Sequence, residues 1–521
     1  MNDRSPNKLE GATSTNLDGA ARLQPATASG RTALRLAVGS SAVALLASSM
    51  FSTAEAATKP KAVKVAKAPK EAKATKSTLK WRACDDPIFQ CTELRVPVDA
   101  DKPLGTKISL SLTKRPLPAD TAKVGTLITG QGSPGRSGVA SMKLDVRDSN
   151  LAAGWSNFEV IAFERRGTGQ STPLICAKKF SDLGVAPFTD LTTVEQGLEF
   201  VEKWADECQK RNPELAQNMG VADVVNDLEA IRVALGEPKL SFELWAHEAT
   251  IGAAYAAKHP TKVRGMVLFD PYPMAQQDSF LPDSAANVEK QVLKFIDACQ
   301  NSATCPLRSG AGAAARYTAL VQALDTKPLR LGTGDDEQYL SGYSVAGAVY
   351  NATYDQTIWD RVGAALAAAE AGDATLLAEE DSDFDPWPAL LTSVGGAFWT
   401  TVCSDGIAPA NHRISTAEVL QATPKAGFLY AMSFSPCNGL GLGQRNGRLP
   451  QAAFASKVPA IVLQTRQSWG VARWSESARA LLSGSVLATY DDDDDASVDC
   501  VKRITTEFWS AGTLPADRST C

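Results

Sequence analysis

A doubly wound α/β fold with an inserted helical cap is the class this 521-residue sequence predicts. Three observations carry that prediction. Short β-prone runs alternate with helical runs through the first and last thirds of the chain. Most strand runs are predominantly apolar rather than strictly alternating, which suits a mostly parallel sheet buried on both faces. Between about residues 280 and 440 the alternation stops and helical periodicity takes over, as an inserted cap would require.

Before the folded part come two segments of different character. Residues 1–30 are polar, and Arg31 and Arg35 then precede an apolar stretch from Leu36 to Phe51 that ends at Ala54-Glu55-Ala56. A basic flank, a short apolar run and an A-x-A site are the marks of an export signal, here residues 1–56, cut near Ala56. The stretch is short for a membrane span. The mature chain is therefore expected to be secreted or at the cell surface. Residues 57–80 are almost all Lys, Ala, Pro, Val and Thr, with Glu71 their one acidic residue. Such a segment cannot bury a core and reads as a solvated linker. It reads first as a plain spacer extended by its like charges, with contact to an anionic cell wall or membrane surface as the alternative.

The first part of the core spans 81–279. Ile108–Thr113 alternates as a half-buried strand. Val124–Thr129 is a second strand and leads into a glycine-rich loop, Gly130–Gly138. Phe158–Glu164 is a third, followed by Arg165, Arg166 and Gly167. Val225, Leu228, Ile231 and Leu235 have helical spacing within 222–235. Phe242–Trp245 is a strand that enters a tight turn and then a small-residue helix reaching Ala257. Val263–Asp270 is again a strand. The cap, 280–440, is expected to be helical, for example over Trp359–Glu380. Alternation returns in 441–521, with a strand at Val458–Gln464, a helix at Ser475–Leu482, a strand at Ser485–Tyr490 and a helix at Ser497–Trp509.

Composition narrows the function classes. The chain is 44% hydrophobic and 21% charged, ordinary for a globular protein with a large core. A net charge of −5, with a basic linker and a strongly acidic remainder, gives no footprint for nucleic acid. The ten cysteines are Cys84, Cys91, Cys176, Cys208, Cys299, Cys305, Cys403, Cys437, Cys500 and Cys521. An even number in an exported chain implies disulfides, and pairing of sequence neighbours is the simplest of the connectivities that remain open. No Cys/His group has zinc spacing, and no metal or cofactor is expected. The five aspartates Asp491–Asp495 do not follow a calcium-loop pattern and read as a solvated loop.

The turn Leu244-Trp245-Ala246-His247-Glu248 has the form of a nucleophile elbow, written G-x-S-x-G in its active version. Around it stand Trp81-x-x-Cys84, Cys91–Asp99, Pro134-Gly135-x-Ser137-Gly138, Arg166-Gly167-x-Gly169-x-Ser171 and Asp227-Leu228-x-x-Ile231-Arg232. Gly252-Ala253-x-Tyr255, Cys403-x-Asp405 and Gly512–Cys521 complete the series. In this order and spacing the chain resembles the secreted actinobacterial tripeptidyl aminopeptidases, an α/β-hydrolase family, over nearly all of 81–521. The resemblance implies an α/β-hydrolase fold and a serine–aspartate–histidine triad. The chain departs from that pattern at each triad position. Ala246 holds the serine slot, Thr465–Arg473 has no carboxylate, and Tyr490–Ala496 has no histidine. Leu244 and Glu248 replace the elbow glycines, so the turn is expected to be relaxed or rebuilt.

Ser133 and Arg136 alter the oxyanion loop that also holds Gly132 and Pro134. Glu164-Arg165 replaces an Asp-Pro pair. Glu164, Arg165 and Trp245 join the loop as candidate pocket residues. His247 and Glu248 are the candidate acid–base pair, since histidine with a carboxylate partner can shuttle protons without covalent catalysis. The competing reading makes them helix-start residues, Glu248 favouring the helix N-terminus by its charge. Of the other histidines, His259 follows the elbow helix and His412 falls in a polar loop. The expected function is binding of a peptide or small molecule in the capped pocket. The alternatives are a lyase, isomerase or cyclase using His247 and Glu248, and a peptidase or esterase with relocated catalytic residues.

Overall fold

The computed structural model describes residues 79–521 apart from 131, 149–153, 179–182, 184–193, 275–278, 333–337, 354–355, 382–391, 406–418, 420, 426–448, 467–470 and 492–493. The export signal, nearly all of the linker, His412 and Cys437 lie outside the described residues.

Ten strands form one sheet in the order β1-β2-β3-β5-β4-β6-β7-β10-β11-β12. Strands β1 (Arg82–Ala83), β2 (Gln90–Pro97) and β3 (Lys107–Arg115) make an antiparallel edge. From β5 (Phe158–Phe163) through β4 (Gly125–Gly130), β6 (Leu240–Trp245), β7 (Val263–Phe269), β10 (Ala460–Thr465), β11 (Ser485–Tyr490) and β12 (Ser519–Thr520) every pairing is parallel. The apolar strand runs are explained by two helical layers. One face carries Ile128, Phe242, Leu244, Leu268 and Val462 into a core closed by α3 (Val221–Leu235), α4 (Ala246–Lys258) and α11 (Ala472–Leu481). The other carries Leu127, Val160, Val267, Phe269 and Leu463 toward α1 (Gly138–Asp148) and α12 (Asp495–Ala511).

The cap is inserted between β7 and β10 and has a core of its own. Val292, Phe295, Tyr317, Val349 and Leu366 belong to that cluster. They come from α5 (Phe280–Asn301), α6 (Ala313–Thr326), α7 (Gly342–Ala352) and α8 (Trp359–Glu370), with α9 (Thr375–Asp381) against them. The helix expected over Trp359–Glu380 is thus two helices, broken where Gly372 takes φ +90°. The cap also contains a small antiparallel pair, β8 (Leu329–Leu331) with β9 (Gln338–Leu340), that was not expected. Strands of three residues are too short to show a period. Helix α10 (Ser393–Ser404) returns to the main core, where Ala397, Trp399 and Val402 are buried.

Four of the local cysteine pairs are bonded: Cys84–Cys91, Cys176–Cys208, Cys299–Cys305 and Cys500–Cys521. Disulfides at this density fit an extracellular chain. Among the described residues no helix is long and apolar enough to cross a membrane, and no group of acidic, His and Cys side chains is arranged to hold a metal. Asp494 caps α12, its side chain accepting from the Ala496 N–H.

Candidate functional site

The turn between β6 and α4 keeps the shape of a nucleophile elbow. Trp245 is extended, with φ −116° and ψ 147°, and Ala246 then takes φ +49°, a left-handed conformation that costs a non-glycine residue of order 1 kcal/mol or more. The expected relaxation of the turn has not occurred. Space for the two bulky flanks comes from glycines elsewhere. A Cβ on Gly252 would stand 2.6 Å from Leu244 Cδ1, and a Cβ on Gly130 would touch Glu248 Cγ at 3.4 Å. Leu244 therefore lies over a bare stretch of α4, and Glu248 over the bare end of β4. Gly252→Ala is expected to lose about 1–3 kcal/mol by overpacking. Leu244→Ala in the same chain should recover most of it, as read from chemical unfolding midpoints.

Several positions that depart from the peptidase pattern converge on one side chain. Arg165, the second residue after β5 and 4% exposed, lies between the glycine-rich loop and the elbow. Its Nη2 donates to the Ser133 carbonyl at 2.9 Å, its Nη1 contacts His247 Nδ1 at 3.0 Å, and its Nε lies 2.8 Å from Glu248 Oε1. The Nε–Glu248 approach is an ion pair rather than an aligned hydrogen bond, since Nε closes none. His247 is fully buried. Its Nε2 meets Asp405 Oδ2 at 2.9 Å, just beyond α10, and Asp405 Oδ1 accepts the Val221 N–H at the start of α3 at 2.7 Å. An arginine can only donate, so Nδ1 accepts and the ring hydrogen sits on Nε2, directed at Asp405. Both ring nitrogens are engaged, and Glu248 neutralises Arg165.

The remaining candidates surround this network without all joining it. Glu164 accepts from the Ser137 hydroxyl, and Ser137 also accepts the Ala140 N–H in the first turn of α1. Burial holds the Glu164 carboxyl above the ordinary range, offset in part by the Ser137 bond and by Arg165. Gly132 takes φ +91°, Pro134 is buried and Arg136 is exposed. Ser133 Oγ is 3.2 Å from the hydroxyl of Tyr272, whose N–H bonds the Ala246 carbonyl. Trp245 stacks on Phe269 at 4.3 Å between ring centres and packs with the layer facing α1 and α12. Arg166 is a scaffold residue, as expected. It grips Asp227 with Nε and Nη2 at 2.8 and 2.7 Å and bonds the Val98 and Asn218 carbonyls. His259 packs at a tilt against Tyr255 at the far end of α4.

The sequence reading missed two carboxylates and a phenol. Asp405 stood only as part of a marker. Asp270 follows β7 with φ +40° and accepts the Thr465 N–H at 3.0 Å, where the peptidase pattern puts its acid one strand further on. The Pro271-Tyr272-Pro273 run that aims Tyr272 at the elbow was not singled out.

Comparison with known proteins places these features. Residues 147–357 match a family model described as alpha/beta hydrolase fold. The chain is 29% identical to serine protease Hip1 of Mycobacterium tuberculosis over 295 residues, which are 52% of this chain and 54% of that protein. It thus spans about half the length of that relative. A carboxylesterase B of the same species is 26% identical over 481 residues, covering 85% of this chain and 89% of the other. A tripeptidyl aminopeptidase of Streptomyces lividans is 29% identical over 211 residues, 37% and 38% of the two chains. Together with the sheet order and the elbow between β6 and α4, these matches make the chain an α/β-hydrolase-fold protein with homology to peptidases and an esterase of this fold.

Proposed function

We propose that this is an exported, non-catalytic member of its fold that binds a peptide or small molecule at the elbow beneath the cap. The observation that carries the reading is Ala246 on an intact elbow. The backbone that would present a nucleophile is built, and the side chain has no hydroxyl with which to form an acyl-enzyme. The Arg165 network supports it further. It holds the loop after β4, the elbow and the Asp405 stem in one arrangement, which suits a preformed binding surface.

An acid–base role for His247 and Glu248 draws less support. A proton shuttle needs a free ring nitrogen aimed at its substrate, and both nitrogens of His247 already have protein partners. Hydrolysis through relocated residues is the third reading. One experiment separates the three. The mature protein is treated with a fluorophosphonate probe, and a panel of short peptides is tested for thermal stabilisation and for turnover. The expected result is no label, no turnover, and a stabilised fold with at least one ligand, about 2.7 kcal/mol at a hundred times its Kd. Labelling would overturn the proposal in favour of hydrolysis. Turnover that disappears in His247→Ala would overturn it in favour of acid–base chemistry.

A further inference from the structure

One residue breaks the apolar layer between the sheet and helices α1 and α12. Glu243 is the fourth residue of β6 and 1% exposed. Its Oε2 accepts the indole N–H of Trp509, on α12, at 2.8 Å. Its register partner on β4 is Thr129, and on β7 it is Val267. Ser241 lies two residues earlier on the same face of β6. Trp155 is close enough for its indole to favour the ionised carboxylate, while Asp145 on α1 adds a repulsive negative charge. The Thr129 and Ser241 hydroxyls are buried and have no hydrogen-bond partner among the described residues.

Two orphaned hydroxyls beside a buried carboxylate would each cost roughly 1–3 kcal/mol if left so. Polar interior sites of this kind are where ordered water resides, each molecule bonding two to four groups. We infer that Glu243 is the centre of a buried, hydrated proton site between β6, α1 and α12, and that proton uptake there stabilises the folded packing of this layer. The protonated carboxyl is a donor as well as an acceptor and can satisfy the hydroxyls through water. The ionised form can only accept, repels Asp145 and sits poorly in an apolar layer. The inference is independent of whatever chemistry the elbow performs.

The pH dependence has a definite sign. Burial pushes the Glu243 carboxyl up to about 7. Between the ordinary carboxylate range and that value the folded chain holds a proton that the unfolded chain has released. The stabilisation is complete in acid and is lost as pH rises through about 7. Asp223, which burial pushes to about 6, titrates in the same window, so the informative quantity is the difference between wild type and Glu243→Gln. Infrared difference spectra of the mature protein between about pH 8 and pH 5 should show a buried protonated-carboxyl band, absent from Glu243→Gln, and that variant should lose part of the pH slope of unfolding. Trp509→Phe removes a donor that favours the ionised form, so the midpoint of the band should move to higher pH. A Glu243→Gln protein with the full slope and the band intact would overturn the inference. Should that variant fail to fold, Trp509→Phe decides alone: an upward midpoint supports the site and an unmoved one refutes it.

Discussion

Replacing Arg165 with methionine is expected to destabilise the fold by about 3–5 kcal/mol, the cost of leaving a buried charge without its partner. The stranded group is Glu248, 7% exposed and resting against the bare end of β4. The Ser133 carbonyl and His247 Nδ1 would lose their donor at the same time. Replacing both charges, Arg165→Met with Glu248→Met, should cost much less than the sum of the single changes, because a buried ion pair exchanged for apolar groups is often close to neutral. Urea unfolding of the four proteins gives the coupling directly. Simple additivity, with no recovery in the double variant, would mean that the pair does not act as a unit.

Restoring the nucleophile should have the opposite character, a conspicuous change in sequence with no gain in rate. Ala246→Ser is expected to leave ester and peptide hydrolysis at background, about 10⁴–10⁶-fold below a complete triad. The positive φ means the hydroxyl would be well presented. It would lack a base, because the neighbouring imidazole spends both nitrogens on Arg165 and Asp405. Directly after β10 the one described residue before 467–470 is Arg466, and after β11 comes Asp491. Stoichiometric labelling of the serine variant by a fluorophosphonate, or an acyl-enzyme seen by mass spectrometry, would show a base that this geometry does not reveal.

The sequence exposed the fold well because parallel strands buried on both faces leave continuous apolar runs, as at Met266–Phe269 and Ala460–Leu463. It hid the cap's hairpin, whose strands are too short for any period. At the site it named Ser133, Arg165, Ala246, His247 and Glu248, and the structure does bring these together. Their wiring could not be read in advance. The His247–Asp405 contact joins residues 158 positions apart. The preserved elbow depends on Gly130 and Gly252, whose relevance appears only once strand and helix are packed. Leu244 and Glu248 in place of glycines imply a relaxed or rebuilt turn only while the space supplied by neighbouring elements is out of sight.

The cap's separate hydrophobic core bears on how the chain reaches its native state. Strands β7 and β10 are neighbours in the sheet, yet the Asp270–Thr465 contact that closes their ends spans 195 residues. Contacts that distant are slow to form, because loop-closure entropy must be met before the pairing stabilises anything. An insertion that condenses on its own apolar cluster draws its two ends together first, and so shortens the search that β10 must make. The cap would then act as an internal folding scaffold for the sheet, and mutations in its interior, far from the elbow, would slow assembly of the central strands before they altered anything that binds there.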